Sequence, residues 1–265
     1  MSWRGIARKD VLDAYRTWQL GFAAAFLALV CTFPAFVAAS GPAGGGFVGS
    51  LGLVLFLVPL VALLLGHDAV AGEREHGSLK LLLGQPYTRL DVVVGTAVGR
   101  GAVVTVASLS GVLAAALVFL AFGGALDPLE TLAFCALVVL LGAAYSGLAV
   151  GVSAASKTTS RAMAACVIAF LATVSWSSIP RLVRYVLAGF SAPSGPSPEW
   201  SAVFAALGPV DAYGTLAAGL REGGGTLVRS SDAFYQTRWF ALAVLVCWAV
   251  VPVALGYRRF EGADL

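Results

Sequence analysis

The feature that most constrains this chain is a series of apolar windows free of Asp, Glu, Lys and Arg, at about residues 20–39, 47–66, 101–122, 131–152, 162–180 and 239–257. A helix crossing a bilayer needs about 20 apolar residues at about 1.5 Å each, and each window approaches or reaches that length. One Arg, Lys or Asp at the centre of such a helix costs roughly 2.5–3.5 kcal/mol on insertion. Windows this clean, repeated along one chain, exclude an ordinary water-soluble core, where apolar runs of about 18 or more residues are rare. Composition agrees: of 265 residues, 59% are hydrophobic and 12% charged, against about 45–50% and about 25% in soluble domains. The expected fold class is all-α, a polytopic membrane protein with about six transmembrane helices. The net charge of +3 is spread along the chain and forms no block, which argues against nucleic acid as a partner.

Orientation follows from the basic residues between windows. Arg4, Arg8, Lys9 and Arg16 precede the first; Arg74, Lys80, Arg89 and Arg100 lie between the second and third; Lys157 and Arg161 join the fourth to the fifth; Arg258 and Arg259 follow the sixth. If the spans alternate, all of these lie on one side. The other side has SGPAGGG and FGGALDPLE, without Lys or Arg, and a longer segment with Arg181, Arg184, Arg221, Arg229 and Arg238. Short loops dominate the positive-inside rule, so both termini are expected in the cytoplasm and the protein in the plasma membrane. Before the first window, Val11, Leu12, Tyr15 and Trp18 recur at helical spacing. Residues 1–18 therefore read as an amphipathic helix lying on the bilayer, or as a frayed basic tail. No small-residue cleavage site follows, so the first span is read as retained. Cys31, Cys135, Cys166 and Cys247 sit singly inside windows and behave as small hydrophobes, giving neither a disulfide nor a metal site. Met1 and Met163 are the only methionines, so soft copper ligands are scarce.

The charges concentrate in AGEREHGSLKLLLGQPYTRLD, Ala71 to Asp91, within a segment spanning 67–100. Gly77 can end the helix leaving the second window by taking the left-handed conformation. Ser78 can cap a short helix in which Leu79, Leu82 and Leu83 share a face. Gly84 and Pro86 end it, and Thr88 with Asp91 three residues on starts the next helix. One or two turns of helix are unstable alone in water, so this stub needs a surface. The bilayer interface and a groove on a partner protein fit it equally.

Glu73, Arg74, Glu75, then Gly77, Ser78 and Leu79, then Leu81, Leu82 and Leu83, then Pro86 and Arg89, then Gly95 together resemble the segment between the second and third spans of ABC-2 type permeases. These are membrane subunits of ATP-binding-cassette transporters, with a branch that includes nitrous-oxide-reductase maturation permeases. The family's lysine after the last glycine is replaced by Thr96, with Arg100 one turn later as a candidate rim or phosphate-facing charge. The resemblance implies one transmembrane domain over 1–265 that pairs with a second permease copy, identical or related. It also implies a cytoplasmic ATPase as partner, in whose cleft the short helix sits as a coupling helix. Leu79, Leu82 and Leu83 would then be the knob, with Glu73, Arg74, Glu75 and Arg89 paired to the rim. ATP and magnesium would be bound by that ATPase, leaving this chain without cofactor or catalytic residue. A membrane platform that passes motion to an outer partner without transport would use the same dock.

Gly151-Val-Ser-Ala-Ala-Ser-Lys157-Thr approaches a phosphate loop but lacks the glycine before lysine and follows an apolar span, so Lys157 and Arg161 are read as headgroup anchors. An intramembrane enzyme is the alternative of another class. His67 beside Asp68 could relay a proton or simply cap a span, and neither HExxH nor GxSxG occurs. Residues 191–237 form an outer segment, with SAPSGPSPEW and REGGGTLVRSSD as connectors around an apolar stretch broken at Gly208-Pro209. That break predicts short helices against the outer mouth of the bundle. GPVDAYGTL is similar to a Pro-x-x-x-Tyr feature of the family, making Pro209, Asp211 and Tyr213 candidates for an outer gate, or for loop packing alone.

Overall fold

The computed structural model describes residues 3–41, 46–191, 197–221 and 233–262. The connectors at 42–45, 192–196 and 222–232 lie outside the described residues. Among those described, all regular structure is helical. In chain order the helices are α1 Trp3–Arg16, α2 Gln19–Ser40, α3 Phe47–Ser50, α4 Val54–Gly66, α5 Ala71–Glu75, α6 Ser78–Leu83, α7 Arg89–Ala121, α8 Pro128–Ala155, α9 Thr159–Val174, α10 Ile179–Leu187, α11 Glu199–Ala206, α12 Pro209–Arg221 and α13 Arg238–Glu261.

Among the described residues, five stretches are individually long and apolar enough to cross a membrane: α2, Val54–Glu75, α7, α8 and α13. Two further stretches qualify only as bent pairs, α9 with Trp176–Leu187 at 58° and α11 with Pro209–Leu220 at 85°. The fifth apolar window is therefore bent rather than straight. Pro180 sits in the first turn of α10; it has no N–H to give and its ring collides with the carbonyl of the turn before, so α9 cannot run on through it. A short 3₁₀ turn, Trp176–Ser178, makes the corner. The third window extends the other way. α7 begins at Arg89 and runs 33 residues, about 50 Å, so it projects beyond the hydrocarbon at the end that carries the linker.

α8 forms the centre, packed against α4, α7, α9, α12 and α13. It meets α13 where side chains are absent: a Cβ on Gly147 would collide with the Ala249 carbonyl, on Gly151 with that of Pro252, and on Gly256 with that of Gly151. Small residues let two backbones touch, which supplies the dispersion contact that replaces the hydrophobic effect between helices in lipid. Gly111 of α7 plays the same part against Leu27 of α2.

α1 rests on α7 through Ile6, Ala7 and Ala14, with Gly95 and Gly99 of α7 opened to the α1 backbone. The stripe expected to lie on lipid is left outward, Tyr15 and Trp18 being 70% and 79% exposed. α1 thus has a narrow protein face as well as a lipid face, and only the second stands out in the hydropathy pattern.

Candidate functional site

The linker adopts the local order its residues dictate. α5 ends before Gly77, whose φ of 75° is left-handed; α6 follows, and Thr88 with Asp91 forms a capping box at the start of α7. Ser78 differs from expectation. It is the first residue of α6 and its hydroxyl donates back to the Glu73 carbonyl at 3.2 Å, so it tethers α6 to α5 instead of capping it. Pro86 lies in the turn between α6 and α7.

The charged residues expected on the rim turn inward and grip four other helices. Lys9 of α1 donates to Glu73 at 2.6 Å. Arg74 donates to the Ser156 and Ala154 carbonyls, at 2.8 and 3.5 Å, at the C-terminal end of α8, and lies over the Phe260 ring at 5.1 Å. Glu75 accepts from the Thr159 N–H at 2.9 Å and its hydroxyl at 2.7 Å, at the first residue of α9. Arg89 donates to the Phe260 and Glu261 carbonyls at 2.8 and 2.7 Å, where α13 ends. Glu75 meets a helix start and the two arginines meet helix ends, which is the pairing that the helix dipole and its unsatisfied backbone groups favour; Glu73 instead pairs with a lysine in the middle of α1. Lys9 is held above the ordinary lysine value; burial opposes this, and the hydrogen bond and charge of Glu73 outweigh it.

The leucines also sort differently from expectation. Leu79 is 1% exposed and belongs to a core with Val70, Val92, Val93, Val150 and Phe260, against which Leu82 is half-buried. The side chains of Lys80 and Leu83 lie outside the described residues. Leu81 is 78% exposed and, among the described side chains of α6, is the apolar one that faces outward. The helical spacing marks an apolar face, of which Leu79 and, in part, Leu82 pack on the chain's own core.

Two anchors at this end leave little trace in sequence. Ser153 is fully buried and its hydroxyl accepts from the Val70 and Ala71 N–H groups, each at 3.0 Å, satisfying donors freed where the chain kinks between α4 and α5. Arg100 is not a rim charge. It is largely buried, 3.2 Å from Asp10 of α1 and 3.9 Å from Asp68, and it donates to the Gln19 side chain at 3.1 Å. Burial pushes the Asp10 carboxyl up to about 6, ahead of the opposing charge of Arg100 and the raising effect of Glu73. The neighbouring His67 uses Nδ1 toward the Leu64 carbonyl of its own turn at 2.8 Å. The near-phosphate-loop segment is helical from Gly151 to Ala155, with Gly151 pressed on α13.

On the side away from the linker, α11 and α12 form the 85° hairpin, whose corner at Gly208-Pro209 reaches in as far as Trp248, midway along α13. Pro209 and Tyr213 are buried, and Asp211 is half-buried in the first turn of α12. Tyr213 belongs to the main core. Sequence reasoning missed what holds this hairpin. The Trp176 indole donates to the Phe204 carbonyl at 2.8 Å and stacks on its ring at 4.8 Å, while the Trp248 indole donates to the Leu207 carbonyl at 3.0 Å. At the C-terminal end of α11 the Phe204 carbonyl thus accepts from both the Leu207 N–H and an indole, and the carbonyl of Leu207, the residue after the helix, accepts from the second indole.

A bundle of spanning helices, gathered at one end by a charged linker and holding a broken helical hairpin on the side away from it, is an all-α polytopic membrane protein. The chain belongs to the ABC-2 transporter family: the family model described as ABC-2 family transporter protein matches residues 6–265. It is similar to the probable ABC transporter permease protein NosY of Pseudomonas aeruginosa, 30% identical over 97% of this chain and 96% of that protein. It is also similar to the protein of the same description from Stutzerimonas stutzeri, 39% identical over 42% of this chain and 43% of that one. These similarities make it a membrane subunit of an ABC transporter, in the branch expected from its sequence.

Proposed function

We propose that this chain is the permease of an exporter-like ABC transporter and that α6 is its coupling helix, seated in a cleft of a separate ATPase that binds ATP and magnesium. The observation that carries this reading is the convergence of Glu73, Arg74, Glu75 and Arg89 on the middle of α1 and on the ends of α8, α9 and α13. A push on α6 is then shared by four helices at once, which is how a small displacement at a docking point becomes a rigid tilt of spans. Leu81 is the contact offered to the ATPase; Leu79 and Leu82 hold α6 to the bundle. The rest of the assembly is a second permease copy in the plasma membrane, with both termini cytoplasmic as the loop charges favour. Pro209, Asp211 and Tyr213 form the proposed outer gate, on a hairpin hinged at Gly208-Pro209. No residue of this chain performs bond chemistry in this scheme.

The test compares two leucines two residues apart. Leu81→Asp is expected to abolish co-purification of the ATPase while membrane yield and melting temperature stay at wild-type values. Leu79→Asp is expected to lower yield itself, since it places a carboxylate in an apolar core. Full retention of the ATPase and of ATP-driven transport by Leu81→Asp would refute the docking role.

A further inference from the structure

Two open grooves of similar size run along the flanks of α13, and they differ in one respect. The first, about 720 Å³, has walls from Leu148 and Val152 of α8 and Val251 and Leu255 of α13. Trp176 and Trp248 line it toward the middle of the bundle, and Arg258 and Arg259 line it at the linker end. The second, about 580 Å³, lies between α7, α8 and α13, with Leu90 and Tyr257 at the corresponding end and no charged residue in its lining. Both arginines are exposed, and neither takes part in the ion pairs among the described residues.

From Trp248 to Arg258 is ten helical residues, about 15 Å at the helical rise, which is about half the hydrocarbon thickness of a bilayer. The charged-ended groove therefore matches one leaflet: a cationic pair where headgroups lie, then an apolar channel as long as that leaflet's hydrocarbon. We infer that it binds an anionic phospholipid of the linker-side leaflet, with the phosphate at Arg258 and Arg259 and one acyl chain running to the Trp176–Trp248 pair. Arginine suits this site because its planar fork matches phosphate oxygens. The second groove, lacking the cations, takes acyl chains without headgroup preference. Each basic residue near a membrane surface favours anionic lipid about fivefold, so two acting independently correspond to enrichment of up to about 25-fold.

The chain reports on the site itself, because Trp248 lies in it. Full-length protein is placed in phosphatidylcholine nanodiscs carrying a minor fraction of bromine-tailed phosphatidylglycerol or bromine-tailed phosphatidylcholine, and the emission lost in Trp248→Phe is taken as the groove signal. Phosphatidylglycerol is expected to quench that signal at several-fold lower mole fraction than phosphatidylcholine. Arg258→Gln with Arg259→Gln brings the two lipids level, and the paired lysine variant keeps the preference. A reporter in the second groove, Val250→Trp on the Trp248→Phe background, is quenched alike by both. Equal quenching in the wild type, a preference that survives the glutamine pair, or a preference at Val250→Trp would overturn the inference. So would absence of quenching by either lipid, which means that protein, including a second copy of the chain, covers the groove. Should the glutamine pair fail to insert, the wild-type comparison and mass spectrometry of anionic lipid retained by purified wild-type protein decide the matter.

Discussion

The break between α5 and α6 rests on one backbone angle, and its worth can be worked out. Gly77 has φ of 75°, and a Cβ built on it would meet nothing within 4 Å. A substitution there meets no clash, so its cost is conformational alone: about 1–2 kcal/mol for an ordinary L-residue held in the left-handed region. Asn is tolerated better in that region than most side chains, while Pro, locked near φ of about −65°, cannot reach it. Gly77→Ala should therefore lower the free energy of locally opening α6 by about 1–2 kcal/mol, which corresponds to about 5- to 30-fold faster opening-limited amide exchange. Hydrogen exchange read by mass spectrometry over peptides covering Leu79 to Leu83 measures this directly. The expected order of exchange is wild type, Gly77→Asn, Gly77→Ala, then Gly77→Pro, with peptides from α8 unchanged in the first three. If Ala and Asn exchange at the wild-type rate, the left-handed residue does not hold α6 in place. If Asn is as damaging as Ala, the side chain and not the backbone angle is responsible.

Three further outcomes follow from other parts of the fold. Asp10, with its carboxyl raised to about 6, takes up its proton more readily folded than unfolded, where the value is about 4. Its contribution is therefore complete below about pH 4 and lost as pH rises through about 6, to a limit on the order of 3 kcal/mol; the protection factors of α1 amides, with intrinsic exchange at each pH divided out, should be higher at pH 5 than at pH 7.5, and Asp10→Asn should flatten that difference. Trp248→Phe leaves the Leu207 carbonyl without its indole donor, a loss of about 1–3 kcal/mol where the group stays dry, so exchange should rise in α11 and α12 while the linker stays protected. Gly151→Ala drives a methyl into the Pro252 carbonyl, which backbone cannot easily relieve; overpacking of this kind costs about 1–3 kcal/mol, read as a lower melting temperature in detergent.

What could be read from the sequence and what could not divide along a physical line. Helix breaks depend on neighbouring residues, so Gly77 as a left-handed stop and Thr88 with Asp91 as a capping box were legible. The apolar windows were equally legible, because the cost of charge in lipid is a property of composition. Partner choice is not local. Leu79 has the same spacing whether Phe260 or another protein covers it, and Glu75 has the same charge whether it meets Thr159 or a foreign lysine. The fifth window looked straight because its apolar length outweighed Pro180, yet the structure bends there by 58°. The two indoles that close α11 come from residues 28 and 41 positions away from their acceptors, a separation at which single-sequence patterns carry no signal.

The inward turn of the Glu-Arg-Glu run changes what the linker can do mechanically. Charges on a rim would hold a partner and leave the bundle free to slip beneath it. Charges spent on helix ends do the reverse: they make α5 and α6 part of the bundle and leave the outward grip to Leu81 and the backbone of α6. Exposed pairs such as Lys9–Glu73 stabilise by only about 0–1 kcal/mol each, so the clamp is not a source of great stability. Its effect comes from number and direction: the contacts to α1, α8, α9 and α13 hold α5 and the first residue of α7, and α6 is carried between them, tied to α5 by Ser78 and to the core by Leu79. A load on α6 then meets two outcomes, release of several anchors together or movement of the helix ends with it. The second is favoured because the Arg74, Glu75 and Arg89 anchors sit at helix termini whose unsatisfied groups would otherwise lose a partner. On this reasoning, removing one anchor, as in Glu73→Gln, should leave transport coupled, whereas removing Arg74 and Arg89 together should leave ATP hydrolysis running in the complex without transport, and coupled transport in that double variant would contradict the clamp.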